Sequence, residues 1–135
     1  TDQDVADSPD IAAVLPEIAE FIGNAVLIGH HINFDIRFLN KYLKREINCQ
    51  LRNPYLDTML LFTSHTGRIG QYSLEEVADC CKVTVVDRHT ARGDALMAGE
   101  IFTCLAPMLS NPDETVNHLY NQQFSHDPNK HEIAP

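Results

Sequence analysis

Basic side chains are scarce in this sequence: ten lysines and arginines stand against nineteen aspartates and glutamates, for a formal charge of −9. That balance argues against general electrostatic capture of nucleic acid, which uses a basic surface. It does not exclude a site built from carboxylates, because bound divalent ions reverse the local field. Long apolar runs are missing too. No stretch approaches the ~20 residues needed to cross a bilayer, and no basic-then-apolar leader opens the chain, so no membrane partner is expected. The four cysteines (Cys49, Cys80, Cys81 and Cys104) form no Cys-x-x-Cys pair. Reduced, mostly buried thiols in a cytoplasmic protein are expected, not a zinc site. The first residue is Thr1, not Met, as in a processed or partial chain.

What remains is ordinary for one soluble domain, with 135 residues, 44% of them apolar and 21% charged. Ser8, with Pro9 after it, reads as the cap of a helix reaching about Ile22. Its stripe is Ile11, Val14, Leu15, Ile18, Phe21 and Ile22, and Gly23 closes it. Ala25–Gly29 is a short apolar run suited to a strand buried on both faces. A helix over 34–43 should turn Phe34, Phe38, Leu39, Tyr42 and Leu43 to the core. Pro54–Leu56 suits a brief strand, followed by a helix from Asp57. Ser73 and Glu76 form a capping box. The longest helix should span Ala91–Leu109, with Ala91, Ala95, Ala98, Ile101, Phe102, Leu105 and Met108 on its core face. After Pro112 the chain turns polar. A first domain over 1–110 and a polar helix and tail over 111–135 are expected.

This order of elements describes an α/β layer protein. One convincing strand and one weak one cannot cover so many amphipathic helices, since stable sheets usually need more. Further strands are expected from outside this stretch of chain.

Three residues carry candidate chemistry. Asp35 opens a helix at the carboxyl end of the buried run, where open α/β sheets place ligands. Asp94 lies in the first turn of the long helix, and His89 precedes it by five residues. Each has a plain reading. An aspartate at a helix start is favourable with the dipole, and a loop histidine is commonly just solvated. Together they read differently. Two carboxylates suit Mg²⁺ or Mn²⁺, and an imidazole is a fitting base near neutral pH.

Gly29-His-His-Ile-Asn-Phe-Asp35-Ile-Arg-Phe-Leu39 and His89-Thr-Ala-Arg-Gly-Asp94-Ala95 resemble the second and third motifs of the DEDDh (DnaQ-like) 3′–5′ exonuclease family. That family is most familiar in proofreading by the epsilon subunit of DNA polymerase III. Leu56-Asp57-Thr58 and Leu74–Ala78 also occupy places where the family has an Asp-Thr pair and a Leu-rich helix. The resemblance covers about residues 1–109. It implies a partial RNase H-like α/β fold and an enzyme that releases nucleoside monophosphates from a nucleic-acid 3′ end. Asp35 and Asp94 would be metal ligands for two Mg²⁺ or Mn²⁺ ions, and His89 the general base. His30, His31, Phe34 and Arg92 would contact the substrate. A polymerase or a fused domain is the implied partner.

Two departures stand out. His31 replaces the family's usual asparagine, and no Asp-x-Glu first motif is found. Asp2-Gln-Asp4 lacks the apolar strand that motif requires. The missing strands and two carboxylates are expected upstream of Thr1, and these 135 residues alone should be inactive or nearly so. The alternative is a non-catalytic nucleic-acid or protein-binding module that kept the fold. Arg88 reads as either a phosphate contact or a solvated residue, Tyr72 as a base-stacking candidate, and His126, Asp127, His131 and Glu132 as a polar tail.

Overall fold

A computed structural model describes residues 1–125; the tail candidates His126, Asp127, His131 and Glu132 lie outside the described residues. Its elements run α1 (Ile11–Ile22), β1 (Leu27–Gly29), α2 (Ile32–Ile47), β2 (Tyr55–Asp57), α3 (Thr58–Thr66), α4 (Leu74–Cys80), α5 (Ala91–Leu109) and α6 (Val116–Gln122). They fall into two units. One is Thr1–Ala25 with Asn33–Asn53, and the other is Val26–Ile32 with the chain from Pro54 onward.

In the first unit, α1 is capped by Asp10 and not by Ser8. The Asp10 side chain accepts from the Ala12 N–H at 2.8 Å. A carboxylate there satisfies an orphan donor and complements the helix dipole, so it displaces the serine two residues earlier. Gly23, at φ 48, ends the helix by donating its N–H to the Ala19 carbonyl. The Asn53 amide ties the following turn down through the carbonyls of Gly23 and Ala25. Helix α2 is longer than the expected 34–43, with Lys44 and Arg45 in its last turn complementing the dipole. Its expected core face is only partly realised. Leu43 is buried, whereas Phe34 is 74% and Phe38 47% exposed. The Phe38 ring packs along the helix on Tyr42, centroids 4.9 Å apart, and Arg45 lies over the same ring. Neighbours four residues apart on one helix surface thus take contacts that the core was expected to supply.

In the second unit, β1 and β2 pair in parallel, Leu27 with Tyr55, Ile28 with Leu56 and Gly29 with Asp57. Among the described residues the sheet has these two strands. Helix α5 packs against β1, yet Ile28 remains 38% exposed, so the expected burial on both faces is not found. The outer edge of β2 is closed by a side chain. Gln123, buried just after α6, accepts the Asp57 N–H at 2.8 Å and donates to the Tyr55 carbonyl at 2.9 Å. One amide thereby satisfies the two groups that another strand would have paired.

Leu56, Leu61, Phe62, Leu74, Val77, Ala78, Met97, Ile101, Leu105 and Leu119 form the core of this unit. Helix α5 depends on it. Gly93, Gly99 and Pro107 lie within the helix. Each glycine costs about 1 kcal/mol, and an interior proline about 3 kcal/mol. Burying Met97, Ile101 and Leu105 returns about 1.5–3 kcal/mol per side chain, so packing outweighs propensity. The buried stripe is Gly93, Met97, Ala98, Ile101 and Leu105; Ala91, Ala95 and Met108, expected on it, are exposed. Ala91 and Ala95 lie on the row beside that stripe, whereas Met108 is in line with Ile101 and Leu105 but falls in the last turn of the helix.

The cysteines also depart from expectation. Cys49 and Cys80 are exposed, and Cys81 and Cys104 are partly buried. Cys49 follows the end of α2 and Cys80 ends α4, positions with little chain around them. Burial, and then the neighbouring Cys104 thiol, push Cys81 up to about 12, which keeps it a protonated, unreactive thiol. No helix of the described residues is long and apolar enough to cross a membrane.

Candidate active site

The segment entering α5 makes a tight reversal. Asp87 and His89 both have left-handed backbones, φ 49 and φ 68. Such conformations are unfavourable for residues with a Cβ and gather at functional sites. Thr90 holds the turn from both sides, donating its hydroxyl to the Asp87 carbonyl at 2.6 Å and accepting the Gly93 N–H at 3.0 Å as the helix cap. Gly93 is required here. A Cβ at this position would stand 2.2 Å from the Asp87 carbonyl oxygen, so only a residue without one lets the loop fold over the first helical turn.

The reversal sets His89 and Asp94 together. The His89 backbone N–H donates to Asp94 Oδ1 at 3.2 Å, leaving the exposed imidazole outside the turn. Nη1 of Arg88 lies 2.7 Å from both carboxylate oxygens of Asp94. Through Nε the same guanidinium meets Glu75 in the first turn of α4. Arg88 holds the Glu75 carboxyl down at about 2, chiefly through that hydrogen bond. The side chains of Arg88, Asp94 and Glu75 are 23%, 36% and 39% exposed. At that exposure solvent screens much of their attraction. Arg92, in the first turn of the helix, is exposed.

The carboxyl ends of the two strands build a neighbouring corner. His30 follows β1, and its ring nitrogens are both engaged: Nδ1 with the Thr58 hydroxyl at 2.9 Å and Nε2 with the Tyr72 carbonyl at 2.7 Å. A carbonyl only accepts, so Nε2 carries the hydrogen and Nδ1 accepts from Thr58. Burial lowers the His30 pKa below its ordinary value, and the charges of His31 and Arg88 add to that. His31 has a left-handed backbone, φ 54. Its N–H donates to Asp57 Oδ1 at 3.1 Å, and that oxygen also takes the Met59 N–H at 2.9 Å. Asp57 is only 4% exposed, yet its carboxylate is occupied by backbone amides. Tyr72 packs its ring edge on Phe62 and donates its hydroxyl to the Arg68 carbonyl, so it is part of the packing.

Asp35 lies in the first turn of α2, with Phe34 exposed beside it, and belongs to the first unit. His89, Asp94, Arg92, His30 and His31 belong to the second. Within that unit, His89 and Asp94 are in contact through the His89 backbone N–H. Sequence reasoning missed four contributors. Gly93 was legible in principle as a glycine inside a helix start. Thr58 and Glu75 lay in stretches that resemble the family, but their roles, like that of Gln123, depend on partners distant in sequence.

Among the described residues no three His, Cys, Asp or Glu side chains gather closely enough to hold a metal ion. Asp94 nevertheless fits one by chemistry. It is a partly exposed carboxylate with hard oxygen donors, and a cation, the Arg88 guanidinium, already sits across both oxygens.

Imidazole and carboxylate groups at the ends of the parallel strands and at the start of the adjoining helix stand where α/β domains place their ligand sites. Comparison with known proteins narrows this. The family described as Exonuclease (RNase_T) matches residues 1–102, and this chain belongs to that DnaQ-like exonuclease family, as a partial RNase H-like domain. Among curated relatives, the DNA polymerase III subunit epsilon of Aquifex aeolicus is 38% identical over 94 residues, covering 70% of this chain and 46% of the relative. A DNA polymerase III subunit epsilon-like protein of Rhodobacter capsulatus is 35% identical over 111 residues, 81% of this chain and 16% of that protein. The PolC-type DNA polymerase III of Caldanaerobacter subterraneus is 35% identical over 98 residues, 73% of this chain and 7% of the relative. The chain thus spans less than half the length of each of these relatives.

Proposed function

We propose that the protein containing this chain is a 3′–5′ exonuclease that hydrolyses the terminal phosphodiester of a nucleic acid, DNA in preference to RNA, and releases nucleoside monophosphates. The observation that carries this reading is the turn that ties His89 to the Asp94 carboxylate in a chain of the exonuclease family. Asp35 and Asp94 would hold divalent Mg²⁺ or Mn²⁺. When bound, such ions would make water a better nucleophile and offset charge on the phosphoryl group.

The remaining work falls to the chain itself. The exposed His89 imidazole takes the proton from the attacking water. The water oxygen bonds to phosphorus, the P–O3′ bond breaks, and the departing 3′ oxygen is protonated as the new end of the strand. Exposed Phe34 offers a face on which the terminal base stacks, and exposed Arg92 offers donors to a phosphate. His30 and His31 shape the corner facing the strand end. The polymerase names of the relatives support a proofreading role beside a polymerase in the cytoplasm. The 135 residues by themselves should release little nucleotide, since two carboxylates are few for two divalent ions.

The test uses the full-length protein and 3′-labelled single-stranded DNA and RNA, with Mg²⁺ or with chelator. Release of monophosphates from the DNA that needs Mg²⁺ and falls about 10²–10⁴-fold in His89→Ala, with a comparable loss in Asp94→Asn, is the expected result. Tight binding of DNA without any hydrolysis would replace this reading with the non-catalytic binding module.

A further inference from the structure

Arg88 places a positive charge where a metal ion at Asp94 would have to go. Its Nη1 is 2.7 Å from each carboxylate oxygen, and Oδ1 already accepts the His89 N–H. A small divalent ion binds a carboxylate oxygen at about 2.0–2.1 Å, so it cannot share both oxygens with the guanidinium without bringing two cations into close contact. The two ties of Arg88 use different nitrogens: Nη1 to Asp94, and Nε to Glu75. Either can break while the other holds. Glu75 and Asp94 lie on α4 and α5, which pack together through the buried core, so the arginine side chain is the movable part.

We propose that Arg88 is a built-in counter-ion that competes with a divalent cation for Asp94, held at its post by Glu75 and displaced when the cation enters. In the cation-free protein it keeps the carboxylate paired and preserves the turn at His89. Once displaced, it stays tethered beside the site. This rests on the reading of Asp94 as a metal ligand, and the test separates the two claims.

Mn²⁺ is titrated into the full-length protein and the free ion is followed by electron paramagnetic resonance, without substrate. Arg88→Gln should bind Mn²⁺ about tenfold more tightly than wild type, the scale of one partly exposed charge-assisted contact. Arg88→Lys, whose single ammonium cannot span Glu75 and Asp94 together, should fall between them, and it serves if the glutamine variant does not fold. Arg68→Gln removes the same charge from an exposed position and should leave Mn²⁺ affinity unchanged within about twofold. If Asp94→Asn abolishes Mn²⁺ binding while both Arg88 variants bind as wild type does, the competition is refuted and the ligand assignment stands. An equal gain in Arg68→Gln would likewise refute it, by reducing the effect to net charge. Mn²⁺ affinity that is indifferent to Asp94→Asn would remove both claims.

Discussion

The carbonyl oxygen of Asp87 occupies the space where a side chain at Gly93 would begin, 2.2 Å from the Cβ position. Two effects oppose each other when that glycine is replaced by alanine. Helix propensity favours alanine by about 1 kcal/mol. Overlap with backbone, which cannot rotate aside, costs about 1–3 kcal/mol or a displaced loop. The clash should win. Gly93→Ala is expected to lower the melting temperature and, in the full-length protein, to cut nucleotide release far more than stability, because the loop that must move carries His89. Thermal unfolding and a release assay on one preparation check this. A stabilised, fully active variant would show that the loop has another conformation available.

The His30 imidazole predicts a pH dependence with a definite sign. Its folded-state pKa lies below the ordinary 6.5, chiefly through burial. Above about pH 6.5 both folded and unfolded forms are neutral, and the contribution is complete. As pH falls from 6.5 through the folded value, the unfolded chain binds the proton first, and stability is lost. His30→Gln retains a donor and an acceptor for Tyr72 and Thr58 but cannot titrate. Denaturation midpoints measured between about pH 7.5 and 5 should therefore fall more steeply for wild type than for the variant. Parallel curves would mean that His30 does not titrate differently on folding.

Asp57 makes a separate prediction because its carboxylate serves backbone donors. Oδ1 takes the N–H groups of His31 and Met59 and so holds His31 in its left-handed conformation. An amide oxygen can do the same. Asp57→Asn should stay close to wild type, whereas Asp57→Ala should lose about 1–3 kcal/mol through two unsatisfied donors. Chemical denaturation of the two variants decides between this role and an electrostatic one, in which both would suffer alike.

Much of this was legible in the sequence where the signal is local. Ser73 and Glu76 form the capping box at the expected helix start, and α5 spans the expected 91–109. What escaped has a common physical cause. Phe34 and Phe38 carry the periodicity of a core face, but periodicity reports which residues share a face and not what covers it. Arg88 reads as a phosphate contact or a solvated residue until Glu75, thirteen residues away, is seen beside it. Its role depends on α4 packing against α5, which no local pattern encodes.

The most distant such pairing is that of Gln123 with β2, sixty-six residues away at Asp57, and it yields the last prediction. Helix α6 lies beyond the residues 1–102 that match the exonuclease family, and by composition the segment looks dispensable. The structure gives it a task, since its amide covers the edge of β2 beside Asp57. Gln123→Ala would leave the Asp57 N–H and the Tyr55 carbonyl buried and unpaired, at a cost of about 2–4 kcal/mol. Gln123→Glu keeps the acceptor for Asp57 but loses the donor to Tyr55, and should fall between the alanine variant and wild type. Amide exchange at Asp57 separates this from a general loosening of α6. In Gln123→Ala it should accelerate more than exchange at Ile101 or Leu105, which lie in the core on α5. Equal acceleration at all three amides would mean that Gln123 contributes only bulk packing.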